Sequence, residues 1–231
     1  MRGNTEAMSV TTINIDIAGC GYNFVEVSSG EFFMGSNHGL PLELPVHKVM
    51  INKFLKVLET PVTQKMYLDI TRVNPSQCVN LDAPIENVTW YDAQKFCEKL
   101  SSISGMHFRL PTENEWEYFC RAGTETKYFF GNNGRCAPDF AWYDMNSMDT
   151  IKPVRQKLPN PWGLYDVTGN VWEWCSDNYR ASYYSSETET RKKVIRGGAF
   201  DMDVFRLRSA YRSSEFPELP LRKIGFRIVL E

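Results

Sequence analysis

Six cysteines are the first candidates for chemistry: Cys20, Cys78, Cys97, Cys120, Cys136 and Cys175. No two of them form a C-x-x-C pair, so neither a zinc ribbon nor a redox dithiol is written locally. The histidines, His38, His47 and His107, are too dispersed for a local metal motif. An even cysteine count permits disulfides, but the spacings do not demand them, and free, buried thiols are the expectation. Glu113, Glu115 and Glu117 fall on one short helical stretch. Paired carboxylates cleave glycosides only when they flank a bond in a cleft. The simpler reading makes Glu115 a helix cap and Glu113 and Glu117 (i, i+4) a solvated face. Asn87-Val-Thr89 has the form of a glycosylation sequon, but Thr89 stands where a helix begins and reads as its cap.

A second kind of chemistry, recognition, is suggested near the C-terminus. Between Arg196-Gly-Gly-Ala-Phe200 and Ile224-Gly-Phe-Arg-Ile-Val-Leu230 lies a stretch that fits neither a period of 2 nor one of 3.6. It mixes acidic, hydroxyl and aromatic residues with Arg206, Arg208, Arg212 and Arg222. Its flanks are ordered by composition: Gly197-Gly198 permits a tight turn, and 224–230 reads as one buried strand. An unpatterned segment pinned at both ends suits a binding surface on a rigid frame.

The elements that must hold these residues can be read in part. Residues 1–21 read as a flexible, polar lead-in. Phe24-Val-Glu-Val and Glu31-Phe-Phe-Met-Gly read as two strands of a hairpin turning at Ser28-Ser29-Gly30. From His47 to Phe54 the chain alternates as a half-buried strand does. Thr63 caps a helix with Met66, Tyr67 and Ile70 on one face. Thr89 and Asp92 open a second helix that buries Ala93, Phe96, Cys97 and Leu100 and stops by Gly105. After a short strand at Phe108, Thr112 and Glu115 form the start signal of a third helix, which buries Trp116, Phe119 and Cys120 and ends at Ala122-Gly123. Residues 128–161 are loop. No internal repeat appears, so 22–231 is expected to be a single domain, loop-rich and α+β, with short helices and small antiparallel sheets.

Composition narrows the classes. The chain has 231 residues, is 42% hydrophobic and 13% aromatic, and carries a net charge of −2. That supports a real core and gives no electrostatic case for nucleic acid. No apolar run is long enough to cross a membrane, and no apolar signal-peptide core follows Met1–Glu6.

Four motifs, taken together and in this order, carry a family resemblance: Arg109-Leu-Pro-Thr-Glu-Asn-Glu-Trp-Glu-Tyr118, Gly163-Leu-Tyr-Asp-Val-Thr-Gly-Asn-Val-Trp-Glu-Trp174, Arg196-Gly-Gly and Gly225-Phe-Arg227. Over roughly residues 22–230 the chain resembles the formylglycine-generating-enzyme (sulfatase-modifying factor) domain, a variant of the C-type lectin fold. The resemblance implies a copper-binding cysteine pair just after Arg196-Gly-Gly. Here that segment, Ala199 to Arg208, holds no cysteine. Asp201, Met202 and Asp203 cannot replace two thiolates as soft, redox-active copper ligands, so no copper and no such catalysis are expected. A related iron chemistry would need histidines this chain lacks. The resemblance also places Cys97 and Cys120 where the secreted enzyme forms disulfides, with partner positions Ser209 and Ile228 here, which leaves both thiols free. It further implies a structural calcium site from the side chains of Asp166 and Glu173 and the carbonyls of Gly169 and Val171, a hard-oxygen set suited to Ca²⁺. The alternative is that both carboxylates hydrogen-bond the turn without metal.

A narrower resemblance is to the variable proteins of diversity-generating retroelements, among them treponemal surface lipoproteins. In these, adenine-directed mutagenesis rewrites AAY codons in a C-terminal cassette, which excludes Glu, Lys, Gln, Met and Trp. Within the matching cassette, about 200–227, Asp201, Asp203, Phe205, Tyr211, Ser213, Ser214, Phe216, Leu219 and Leu221 are reachable and would be the ligand-binding, variable positions. Met202, Glu215, Glu218 and Lys223 are not reachable and would be constant. Gly197, Gly198, Arg208, Ala210, Gly225 and Phe226 would belong to the frame. The implied function is non-catalytic binding of a protein or other macromolecular ligand, by a monomer at a bacterial cell surface, as a lipoprotein. A divergent oxidase or hydrolase using the same cleft and a purely structural module stay open as alternatives.

Overall fold

The computed structural model describes residues 11–17, 19–184 and 191–231. Among the described residues, three small sheets and a few short helices are joined by long irregular segments, an α+β arrangement. The largest sheet holds β1 (Thr12–Ile17), β2 (Cys20–Val27), β5 (Leu55–Leu58), β6 (Phe108–Arg109) and β11 (Val229–Leu230), in the order β1-β2-β5-β11-β6. A four-stranded sheet runs β10-β7-β8-β9, from Ile224–Gly225, Trp172–Asn178, Lys193–Arg196 and Arg212–Glu215. A two-stranded ribbon pairs β3 (Gly30–Met34) with β4 (His47–Ile51).

The ordered chain starts earlier than residue 22. β1 pairs antiparallel with β2, from Thr12 opposite Val25 to Ile17 opposite Cys20. Ile13, Ile15 and Ile17 alternate along it; Ile17 is buried and the other two pack on the core. That period of 2 sits inside a polar-looking stretch and is easily passed over. The rest of the expected lead-in, residues 1–10, lies outside the described residues.

Two strand expectations are corrected in connectivity. β2 and β3 are consecutive but not a hairpin, because β2 pairs with β1 and β5 while β3 pairs with β4. Residues 224–230 are not one strand. Ile224 and Gly225 run parallel to Trp172 and Glu173 of β7, and Val229 and Leu230 pair with β5 and β6. The tripeptide Phe226-Arg-Ile carries the chain from one sheet to the other and drives its side chains into the core between them.

The helices begin where the caps require. In α1 (Gln64–Thr71) the Thr63 side chain accepts from the Met66 N–H. α2 (Trp90–Ser104) and α3 (Glu113–Arg121) each start on a reciprocal capping box, Thr89 with Asp92 and Thr112 with Glu115. Each of the three ends on a left-handed residue: Arg72, Gly105 and Ala122. Region 128–161 is mostly irregular; a 3-10 turn (Gly134–Cys136) leads into one turn of α-helix, α4 (Ala137–Phe140). In the core, Tyr67 and Phe96 stack at 5.3 Å, and Phe226 stands edge-on to both.

The α3 face that carries Glu113 and Glu117 differs from the solvated face its spacing suggests. Glu113 and Glu117 are not solvated: their exposures are 6% and 0%. They lie on the same side of α3 as the core because buried arginines from the C-terminal segment come to meet them.

Candidate functional site

The C-terminal cassette is held by arginines. Arg208, inside the cassette and 1% exposed, donates through both terminal nitrogens to Glu43, which is fully buried on the turn Pro41–Glu43. Arg212 makes a two-pronged pair with Glu113, each contact 2.7 Å, and its remaining nitrogen donates to the carbonyls of Leu42 and Arg180. Arg196 donates to the Ala210 carbonyl (3.0 Å), the Tyr211 carbonyl (2.6 Å) and the Glu117 carboxylate. Glu117 also receives Arg121 and the Gly35 N–H. Burial alone would raise the pKa of Glu117, but Arg196 and Arg121 together outweigh it and hold the carboxyl below its usual range. These contacts bind α3, the loop 35–44 and the middle of the cassette into one buried unit.

Between these anchors the chain supports itself largely through its backbone. Met202 N–H donates to Ala199, Tyr211 to Arg208, Leu219 to Phe216 and Ile224 to Leu221. Gly198, at φ +79°, makes the turn after β8; a Cβ there would meet Leu207 Cδ2 at 2.9 Å. The flanking loop is tied in as well: Asp144 N–H donates to the Met202 carbonyl, and Ser147 Oγ to that of Phe200.

None of the nine cassette positions singled out from the sequence is buried. Asp203, Phe205, Phe216 and Leu219 are exposed, and Asp201, Tyr211, Ser213, Ser214 and Leu221 are half-buried. By contrast Leu207, Arg208, Ser209, Ala210 and Arg212 are buried among them. Phe205 and Tyr211 meet edge to face at 5.9 Å, and the Arg208 guanidinium lies 4.0 Å from the Phe205 ring centre. Tyr211 leans in turn on Trp172. Asp203 caps the short turn Val204–Leu207 and pairs with Arg206. Asp201 accepts from Lys223 Nζ at 3.0 Å, which joins the two ends of the cassette. Ser213 and Ser214 lie on the edge strand β9, opposite Ile195 and Val194. Phe216 lies under the Lys192 ammonium, and Leu221 packs partly on the core. Met202, Glu215, Glu218 and Lys223, expected from the sequence to be constant, are not buried either.

Residues 19–231 match the model of the sulfatase-modifying factor enzyme 1-like domain. The chain belongs to this family. It is 30% identical over 241 residues to the serine/threonine-protein kinase pkn1 of Chlamydia pneumoniae, covering 88% of this chain but 37% of that protein. The chain thus spans little more than a third of the chlamydial relative's length. It is 32% identical over 168 residues to the formylglycine-generating enzyme of Bos taurus, covering 63% of this chain and 43% of the enzyme. Its fold, the C-type lectin variant of the family, superposes on the Treponema denticola variable protein 1 with a TM-score of 0.88 at 24% identity, covering 95% of this chain and 98% of that one.

Two features implied by the sulfatase-modifying factor family can be set against the geometry. Cys97 and Cys120 are both free and buried. Ser209 lies near enough to Cys120 to act on its thiol, and Ile228 belongs to the same core cluster as Cys97. Burial pushes both thiols up to about 12, which leaves them protonated and unreactive.

The calcium set fares differently. Both oxygens of Glu173 accept from Arg227, and one also accepts from Trp116 Nε1 at 2.8 Å. Asp166 accepts from the Arg155 N–H and from Asn170 Nδ2. Gly169 sits at φ +78°, where a Cβ would also lie 2.3 Å from the Trp142 carbonyl oxygen, and Val171 is buried in the core. A site needing the Glu173 carboxylate would have to break its buried pair with Arg227. As placed, both carboxylates hydrogen-bond within and around the turn. Among the described residues no cluster of three or more His, Cys, Asp or Glu side chains could hold a metal.

Sequence reasoning missed the buried arginine–glutamate pairs. A signal was present: Arg227 stands between Phe226 and Ile228, where a lone charge needs a partner, and Glu113 and Glu117 share a helix with Trp116 and Cys120.

Proposed function

We propose that this chain is a non-catalytic ligand-binding protein whose residues 200–227 are a diversified surface of the retroelement type. The observation that carries this reading is the division inside one short segment. Arg208, Ser209, Ala210 and Arg212 are buried, while none of the nine positions open to adenine-directed change is, although Tyr211 and Leu221 rest partly on the core. Side chains outside the core can be exchanged at little cost to stability. Phe205, Tyr211 and Phe216 supply rigid contact area, and the Asp and Ser positions supply adaptable hydrogen bonding, as paratope loops do. The ligand is a protein or another macromolecule, and the setting we infer is a bacterial cell surface, with the chain carried as a monomeric lipoprotein.

The family's named enzymes motivate a second reading, a formylglycine-type oxidase. Against it stands the absence of any cysteine between Ala199 and Glu231. Two tests separate the readings. The DNA flanking the gene is expected to hold a near-copy of codons 200–227 with AAY at the nine positions, beside a reverse-transcriptase gene. A locus without such a copy would overturn the diversification reading. A sulfatase-type cysteine peptide incubated with the protein, copper and oxygen is expected to keep its thiol. Turnover lost on mutating residues 201–205 would instead establish the oxidase.

A further inference from the structure

Three aromatic side chains from distant parts of the chain meet beside the C-terminal end of α3. Tyr118 lies 5.4 Å from Phe32 of β3 and 5.0 Å from Trp162, measured between ring centres, with the planes inclined by 47° and 69°. The rings therefore form an angled wall and not a flat stack. The wall is fixed in place. The Tyr118 hydroxyl donates to the Ser28 carbonyl at 3.2 Å, and Gly30 leaves it room, since a Cβ there would collide with that oxygen. Rings pinned in advance lose little freedom when a ligand arrives.

These rings line a cavity of about 580 Å³, within the roughly 300–1,000 Å³ of small-molecule sites. It opens to solvent past Phe33, Gly123 and Glu125, all of them exposed. Its polar groups can be reached. Among the described residues the Glu125 carboxylate has neither an ion pair nor a hydrogen bond. The Trp162 indole N–H likewise has no protein partner there and, unlike that of Trp142, is not shut off from solvent. Thr124 Oγ1 donates to the Arg121 carbonyl at 2.8 Å, which leaves its lone pairs free to accept.

The charges on the lining discriminate among ligand classes. Arg121 reaches the cavity, but its guanidinium is held by Glu117 and the Gly35 carbonyl. Glu31 is paired with Lys48 at 2.8 Å. An anion would meet Glu125 and Glu31, and a cation would meet Arg121, so each faces a like charge. A hydrocarbon would cover the Glu125 carboxylate and the indole N–H without satisfying either, which costs free energy. A neutral ring with an apolar face and several hydroxyls suits every group present. Its C–H face lies on the aromatic wall, one hydroxyl accepts from Trp162 Nε1, and others donate to Thr124 and, in a charge-assisted bond, to Glu125.

We infer that this cavity binds a neutral pyranose sugar, stacked on the aromatic wall of Trp162 and Tyr118 and hydrogen-bonded to Glu125. No residue of its lining belongs to 200–227, so the site does not depend on the diversification reading and would be constant while the cassette varies.

The test is an NMR titration of the intact, nitrogen-labelled chain with the methyl pyranosides of glucose, galactose and mannose, beside cyclohexanol and tetramethylammonium as controls. The Trp162 indole N–H signal, identified by its loss in Trp162→Phe, is expected to shift saturably in the millimolar range with at least one pyranoside, and less with either control. Glu125→Gln changes an exposed, unpaired side chain, so it should keep the melting temperature and weaken pyranoside binding several-fold. No saturable shift with any of the pyranosides, an equal or stronger one with cyclohexanol or tetramethylammonium, or full affinity in Glu125→Gln would each overturn the assignment.

Discussion

Arg208 and Phe205 lie three residues apart and should respond very unequally to truncation. Arg208→Ala strands the fully buried Glu43 carboxylate, and removing one partner of a buried pair costs about 3–5 kcal/mol. Phe205→Ala removes a 38% exposed ring with its edge contact to Tyr211 and one contact with a cation, and should cost about 1 kcal/mol. Urea unfolding of the two variants measures both; equal losses would mean that the cassette has no internal division between frame and display. Asp166 gives a pH test at the same scale. Burial pushes its carboxyl up to about 6, against the Arg155 N–H, Asn170 and Arg227. Because the folded value is raised, its contribution to stability is full below the unfolded value of about 3.9 and is lost as pH rises through about 6. Asp166→Asn should therefore gain on the wild type between pH 4 and 7, by on the order of 3 kcal/mol. Glu117 has the opposite sign: its pKa is lowered, so its contribution is present above the unfolded value and lost as pH falls through the folded one. Melting temperatures of wild type and Asp166→Asn across this range provide the measurement. A constant difference would show that Asp166 ionises as it does in the unfolded chain.

At the scale of elements, the critical joint is β10, where the end of the cassette re-enters the core. Gly225 has an ordinary backbone conformation, and its reason is space: a Cβ would lie 2.3 Å from the backbone oxygen of Ile85. Neither backbone can retreat easily, since Ile224 and Gly225 are paired with β7 and the Ile85 N–H donates to Val62. Gly225→Ala should cost about 1–3 kcal/mol, the usual size of overpacking. Guanidinium unfolding reads this directly. A variant as stable as the wild type would mean that β10 is looser than its pairing suggests. The same joint explains why 224–230 cannot be one strand: its two ends belong to different sheets, and Arg227 between them is tied to Glu173, Leu58 and Tyr165.

For the molecule as a whole, the arrangement predicts tolerance of combined change. Replacing Asp203→Ser, Phe205→Tyr, Phe216→Ser and Leu219→Thr together alters four exposed side chains and no buried pair. Surface effects of about 0.5 kcal/mol each, added for separated sites, should move the melting temperature by less than about 8 °C. A thermal melt of the combined variant decides it. A collapse by about 15 °C or more would show that these side chains are structural, and the binding-surface proposal would lose its basis.

Local signals were legible without coordinates. Thr63, Thr89 and Thr112 cap three helices because a hydroxyl beside an apolar repeat satisfies the free N–H groups of a first turn, and that chemistry is complete within a few residues. The four motifs that mark the family, and the lack of cysteine after Arg196-Gly-Gly, were likewise written in the chain. Strand partners were not, since a β-ladder is completed by residues far away. Nothing in 20–34 says that β2 will pair with residues 55–58 and β3 with residues 47–51. The burial of Glu113 and Glu117 was hidden for the same reason. A glutamate next to solvent and a glutamate next to a buried guanidinium look alike in sequence. Only the meeting of α3 with Arg196 and Arg212, some eighty to a hundred residues later, made the low-energy place for those carboxylates the inside of the protein.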